Sequence, residues 1–187
     1  MFTQNYINFK KGEFNCISGG SIALTLTDGT QANAAVSDYL AAGNFGHHMK
    51  NAICGSIPST TRFSKDYFST KCGIYLGSGS TPATRNDYTL ESPITSGLTM
   101  TNPSSVMLDE SVEGRYVYSS TFVVGNTTGD TINIYEIGIF TPVYNSNAYN
   151  AVLMERTVFT EPITIPAGES KLINYKVIFN QTLNVEA

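Results

Sequence analysis

The chain reads as an all-β protein: an antiparallel β-sandwich, jelly-roll or immunoglobulin-like, with one short helix and long N-terminal loops. Three observations predict this. First, the second half holds four successive runs rich in β-branched and aromatic residues: VEGRYVYSSTFVV (112–124), TINIYEIGIF (131–140), AVLMERTVF (151–159) and KLINYKVIF (171–179). Each is closed by Gly, Asn, Thr or Pro, the pattern of strands in a packed sheet. Second, only 14% of the 187 residues are charged, against about 25% in an average domain. The polar surface must therefore come from Ser, Thr and Asn, which suits β structure and close protein contact. Third, a single segment has helical spacing.

In chain order, FTQNYINF (2–9) alternates and offers Phe2, Tyr6 and Phe9 as anchors. SIALTLTDGT (21–30) is a strand with Ile22, Leu24 and Leu26 on one face. It ends in Asp-Gly, which favours a tight hairpin turn, but the residues after it do not alternate, which argues against a simple hairpin. QANAAVSDYLAAG (31–43) is the helix candidate, with Ala35, Val36, Tyr39 and Leu40 at helical spacing and Gly43 as a C-terminal cap. Residues 43–63 break into Gly, Ser, Thr and Pro and read as a long loop. Loops of that length inside a domain serve as functional or partner-ordered surfaces.

CGIYLG (72–77) is a short buried strand, and the polar 77–97 loop carries Pro82 and Pro93, which exclude a central strand there. LTMT (98–101) and SVML (105–108) read as short strands. In the last strand Ile173, Tyr175, Val177 and Phe179 share one face, with Asn174 and Lys176 on the other. The two middle runs are apolar on both faces, which places them centrally in their sheets. Pro-Ala-Gly in ITIPAGES (163–170) is a turn into the last strand. The division expected is an arm with strand, helix and loop over 1–70, packed on a sandwich core over 71–187.

Composition excludes several functions. A net charge of −4 and the split of charge along the chain, six basic against four acidic residues to position 75 and five against eleven beyond it, argue against a nucleic-acid binder. No run reaches transmembrane length, so no membrane partner is expected. Cys16, Cys54 and Cys72 are odd in number and lack metal-ligand spacing, which fits free thiols in a reducing compartment. NTT (126–128) and NQT (180–182) match the glycosylation pattern but read as chance matches in an Asn/Thr-rich chain.

Few residues look reactive. His47 and His48 are adjacent, with no third histidine and no carboxylate one helical turn on, so a contact pair is expected rather than a metal site. Glu136 sits mid-strand among Ile132, Ile134, Ile137, Ile139 and Phe140. A charge there needs a partner, and Arg156 in the next run supplies one through a bidentate contact if the strands pair. The competing reading makes Glu136 and Glu155 a glycosidase-like carboxylate pair, but no Trp or aromatic cleft accompanies them. Tyr144 and Tyr149, in the polar stretch TPVYNSNAYN (141–150), offer contact surface for protein or glycan. No nucleophile or phosphate-binding signature is present, and no cofactor is expected.

Three stretches taken together resemble small virion proteins of tailed bacteriophages and related tail-fibre modules: GIYLGSGSTPATRNDYTLESPI (73–94), TINIYEIGIF (131–140) and LMERTVFTEPITIPAGESKLINYKVIF (153–179). The matching positions are Asp87-Tyr88 and Leu90-Glu91 in the first, Glu136, Gly138 and Phe140 in the second, and Arg156 with Pro162 through Glu169 in the third. The likeness spans about 73–180 and does not extend over 1–70. It implies a non-enzymatic β-sandwich built into a virion, made in the host bacterial cytoplasm. Such a protein would be tail- or head–tail-connector-associated, or a capsid decoration or head-fibre protein. It would meet other virion proteins and form a homo-oligomer, with a host glycan as a further partner class.

Overall fold

The computed structural model describes residues 1–8, 21–35, 73–101, 106–109, 115–145 and 148–180. Nine strands follow one another among them: β1 (Ser21–Thr25), β2 (Gln31–Ala35), β3 (Gly73–Gly77), β4 (Leu98–Met100), β5 (Val106–Asp109), β6 (Arg115–Asn126), β7 (Ile132–Asn145), β8 (Ala148–Ile165) and β9 (Ser170–Asn180). All pairings are antiparallel. One sheet has the order β3-β7-β8; the second is centred on β6, flanked on one edge by β9 and on the other by β4 and β5; β1 and β2 form a separate hairpin.

The two larger sheets face each other across the main core. Ile74, Leu76, Ile134, Ile137, Ile139 and Ile165 come from one, and Leu98, Met100, Phe122, Val124, Ile173, Tyr175 and Val177 from the other. The alternation expected in the last strand is present: Ile173, Tyr175 and Val177 are buried while Asn174 and Lys176 are exposed. This is an antiparallel β-sandwich, as the strand pattern implied.

β7 and β8 form the longest pairing, and its register shifts twice, between Ile134 and Glu136 and between Ile139 and Phe140. Such bulges re-aim side chains. At the first shift β8 carries extra residues that include Pro162, which cannot donate to a ladder. At the second, Ile139 opposes Glu155 while Phe140 opposes Leu153. Beyond it Phe140, Ala151 and Leu153 join Tyr75 and Leu90 in a separate apolar cluster rather than the main core. The apolar character of β8 on both faces thus has a structural use. Its other edge is covered by the first residues of the chain: the Thr3 N–H donates to the Met154 carbonyl (3.1 Å) and the Arg156 N–H to the Met1 carbonyl (3.0 Å).

Three expectations for the N-terminal part change. Residues 4–8 form a helical turn. Phe2 and Tyr6, spaced by one such turn, stack with ring centroids 4.1 Å apart. Residues 31–35 are a strand, not the start of a helix; the rest of the 31–43 candidate lies outside the described residues. And Asp28-Gly29 does close a hairpin. The Gly29 N–H donates to the Leu26 carbonyl (2.9 Å) and the Leu26 N–H to the Thr30 carbonyl (2.9 Å), with Gly29 at φ 84°. Glycine reaches that left-handed conformation without a Cβ clash. Ala is a good helix former, but propensity is a weak prior: pairing with β1 and burial of Ala32 (5% exposed) outweigh it. The hairpin packs Ile22 and Leu24 on Val152 and Met154 of β8. The Asn5 side chain ties it down by accepting from the Thr25 N–H (2.7 Å) and donating to the Thr25 carbonyl (2.8 Å).

At the end of β6, Asn126 is 3% exposed. Its amide nitrogen donates to the carbonyls of Asp130, Ile165 and Pro166 (2.7, 3.0 and 3.1 Å), and its oxygen accepts from the Thr128 N–H and hydroxyl (2.9 and 2.7 Å). The nitrogen of this NTT match is thus committed inside the fold. Asn126→Ala strips a donor from three carbonyls and is expected to cost about 1–3 kcal/mol. A lower urea midpoint at unchanged slope is the readout.

Candidate functional site

Asp87, Glu91 and Glu136 converge on Arg156, which is 3% exposed; Glu136 is fully buried. β8 supplies the arginine and β7 the glutamate; Arg156 stands opposite Gly138, two residues along from Glu136. Glycine at 138 leaves the space above the sheet open. A Cβ there would come within 2.8 Å of the Leu90 side chain, which caps the outer cluster.

The Arg156 guanidinium uses all three nitrogens. Nε donates to Glu136 Oε2 (2.8 Å), Nη1 to Asp87 Oδ2 (2.7 Å), and Nη2 to the Thr81 carbonyl (3.2 Å) and Glu91 Oε2 (3.5 Å). The Glu136 carboxylate is equally committed: Oε1 accepts from the N–H groups of Gly79 (3.2 Å) and Ser92 (2.7 Å), and Oε2 from that of Glu91 (3.0 Å). Glycines at 77 and 79 permit this approach, since a Cβ at either would fall 2.4 or 2.7 Å from Glu136 Oε1. The 78–92 segment is thus folded around one ion pair. Its ends are joined by the Ser78 N–H to the Ser92 carbonyl (2.8 Å), and it is also tied to the N-terminal segment by the Gln4 N–H to the Arg85 carbonyl (2.8 Å).

Two carboxylates that the sequence did not assign to this pair complete the latch. Asp87 accepts from the Thr84 N–H (2.9 Å) and hydroxyl (2.6 Å), and Glu91 from the Thr81 N–H (2.8 Å) and hydroxyl (2.6 Å). The available signal was the Thr84-x-x-Asp87 turn spacing with Glu91 four residues on, legible only once the loop was known to close on itself. Burial opposes the charge of Asp87, but the Thr84 hydroxyl and Arg156 outweigh it and hold its pKa below 3.8. The Thr81 hydroxyl and N–H lead in holding Glu91 below 4.5, with Arg156 adding. Burial opposes the charge of Arg156 as well, but Asp87 and Glu136 raise its pKa above the ordinary guanidinium value.

Depressed carboxylates contribute stability that is fully present above their unfolded-state values and is lost as pH falls through the folded ones. The loop's protection is therefore expected to stay level from neutral pH down to about 5 and to fall below about 4. Hydrogen exchange of the 78–92 amides across that range checks it.

Glu155 belongs to a different cluster. Its carboxylate accepts from the Tyr175 hydroxyl, from the Thr157 hydroxyl (2.6 Å) and from the Met1 ammonium (2.8 Å). Burial and the Glu155 charge push the Tyr175 pKa well above 10, so the phenol stays protonated as a donor. Glu136 and Glu155 share no hydrogen-bond partner, and each is engaged where it stands. That is not the shared, open cleft in which two carboxylates flank a glycosidic bond.

An open groove of about 440 Å³ runs past Arg156, between Ser80–Ala83 and Thr157–Thr160, with Tyr135 at its side. The guanidinium that borders it is already held by Glu136, Asp87, Glu91 and the Thr81 carbonyl. No group of three or more metal-ligating side chains exists among the described residues, and no described helix is long and apolar enough to cross a membrane. Tyr144 and Tyr149 lie in β7 and β8 rather than in a loop, directly opposite each other at the end of that hairpin. His47, His48 and the three cysteines lie outside the described residues.

No family model, curated protein or solved structure matches the chain.

Proposed function

We propose that this protein is a non-enzymatic structural component of a tailed-bacteriophage virion, tail- or connector-associated, that works by protein–protein contact. The observation that carries this reading is the Arg156 latch. The residues that carry the resemblance to phage proteins are bound to one another: Glu136 and Arg156 are buried and paired, and Glu136 also accepts three backbone N–H bonds. Buried charges paired with one another hold a geometry rather than present themselves to a substrate. The latch fixes a polar loop of Ser, Thr, Asn and Pro at the sandwich surface, a rigid presentation suited to docking against neighbouring subunits. The low share of charged residues, 14%, fits a surface that is meant to be covered.

The test is compositional. Mass spectrometry of purified particles from the host that carries this coding sequence is expected to find the chain in stoichiometric amount, and cryo-electron microscopy to place it at the tail or connector. Its absence from particles ends the proposal; density on the capsid shell would move it to the decoration or head-fibre class. A glycan-binding reading is kept alive by one observation, the register that sets Tyr144 opposite Tyr149. Glycan-array binding lost in a Tyr144→Ala variant would favour it.

A further inference from the structure

Strand β9 pairs with β6 along its whole length, and among the described residues no strand lies on its other side. The hydrogen-bond phase of that open edge follows from one contact. The Asn126 N–H donates to the Glu169 carbonyl (2.8 Å), and these residues continue the β6–β9 register as a directly opposite pair. In an antiparallel ladder only alternate opposite pairs exchange bonds. Residues 171, 173, 175, 177 and 179 therefore face β6, while Leu172, Asn174, Lys176 and Ile178 turn their N–H and C=O groups outward. The side chains of these four are exposed as well; Leu172 is 67% exposed and Ile178 42%.

We infer that this edge is a homodimer interface, in which β9 of a second copy pairs antiparallel with β9 about a two-fold axis at Tyr175. In that register the strand is self-complementary along its exposed face. Leu172 and Ile178 lie equally far from Tyr175, so each meets the other across the axis, twice. Asn174 meets Lys176 in the same way. All four are outward-facing residues, so these opposite pairs are hydrogen-bonded ones, and Tyr175 falls at a non-bonded pair, as the geometry requires. Moving the axis to residue 176 sets Lys176 against its own copy, a like-charge pair that destabilises a sheet. Moving it to residue 174 sets Leu172 against Lys176. An edge lysine normally guards against strand pairing; here it also selects one register. The closed two-fold leaves no further edge at β9 and joins the two β6-centred sheets into one.

This inference concerns the isolated chain and does not depend on the virion reading. Sedimentation of the purified protein at micromolar concentration is expected to show a dimer. Asn174→Pro removes an outward N–H without touching the bonds to β6, and Leu172→Lys places a charge in the apolar pair; both are expected to give monomers with an unchanged circular dichroism spectrum. Mixed Leu172→Cys and Ile178→Cys chains are expected to cross-link on oxidation, because a hydrogen-bonded pair about 5.5 Å apart at Cα suits a disulfide; unmixed Leu172→Cys chains should not cross-link beyond the wild-type background. A monomeric wild type, a dimer that survives both substitutions, or mixed chains that cross-link no more than unmixed ones would overturn it. A dimer found in a protein absent from particles would leave this interface standing and remove only the virion proposal.

Discussion

Arg156→Met is expected to lower the unfolding free energy by about 3–5 kcal/mol, the cost of removing one partner of a buried ion pair. Methionine keeps much of the stem volume, so packing is not what the substitution removes. What is lost is the one cation bonded to Glu136 among the described residues, a carboxylate with no exposed surface, together with the bonds that hold Asp87, Glu91 and the Thr81 carbonyl. The loop should then open locally before the sandwich unfolds. Two measurements separate these effects. The urea midpoint reports the global loss, and trypsin cleavage after the exposed Arg85 under native conditions reports the loop. The double variant Arg156→Met with Glu136→Gln removes the stranded charge and is expected to be less destabilised than the sum of the single changes, as coupled sites are. Additive single effects would show that the pair does not act as a unit.

The second large effect belongs to Leu90→Ala, about 2–5 kcal/mol by lost transfer energy and the cavity left behind. Leu90 is 1% exposed and packs with Tyr75, Phe140, Ala151 and Leu153. It is the apolar half of the latch: the carboxylates on either side of it bind Arg156, and its side chain lies over Gly138. Gly138→Ala alone should also destabilise, because its Cβ would fall 2.8 Å from Leu90 and 3.0 Å from Leu153. Placed in the Leu90→Ala background it should cost much less, since its nearest obstacle is gone. Equal cost of Gly138→Ala in both backgrounds, read from urea midpoints, would contradict this packing.

The Glu136–Arg156 pair was legible because the argument for it is local. A carboxylate inside an isoleucine-rich strand must be neutralised, and the neighbouring run held a cation. The same holds for β3, β6, β7, β8 and β9, whose β-branched and aromatic runs leave little choice of conformation, and for the buried odd-numbered face of β9. The 31–35 segment is a strand although its alanine spacing suits a helix, because its burial depends on a hairpin partner and on β7 about a hundred residues away. The roles of Asp87 and Glu91 were hidden for the same reason: only a closed loop brings them to one guanidinium.

The amino-acid order by itself determined which stretches are extended, which faces of them are apolar, and that Glu136 needed a cation. The tertiary structure decided which carboxylates share that cation, how the first eight residues seal the edge of β8, and which backbone groups of β9 are left facing outward. Strand periodicity and charge burial are written within a few residues. Partner choice and hydrogen-bond phase are set by register between segments distant in the chain, shifted here by two bulges that no local pattern announces.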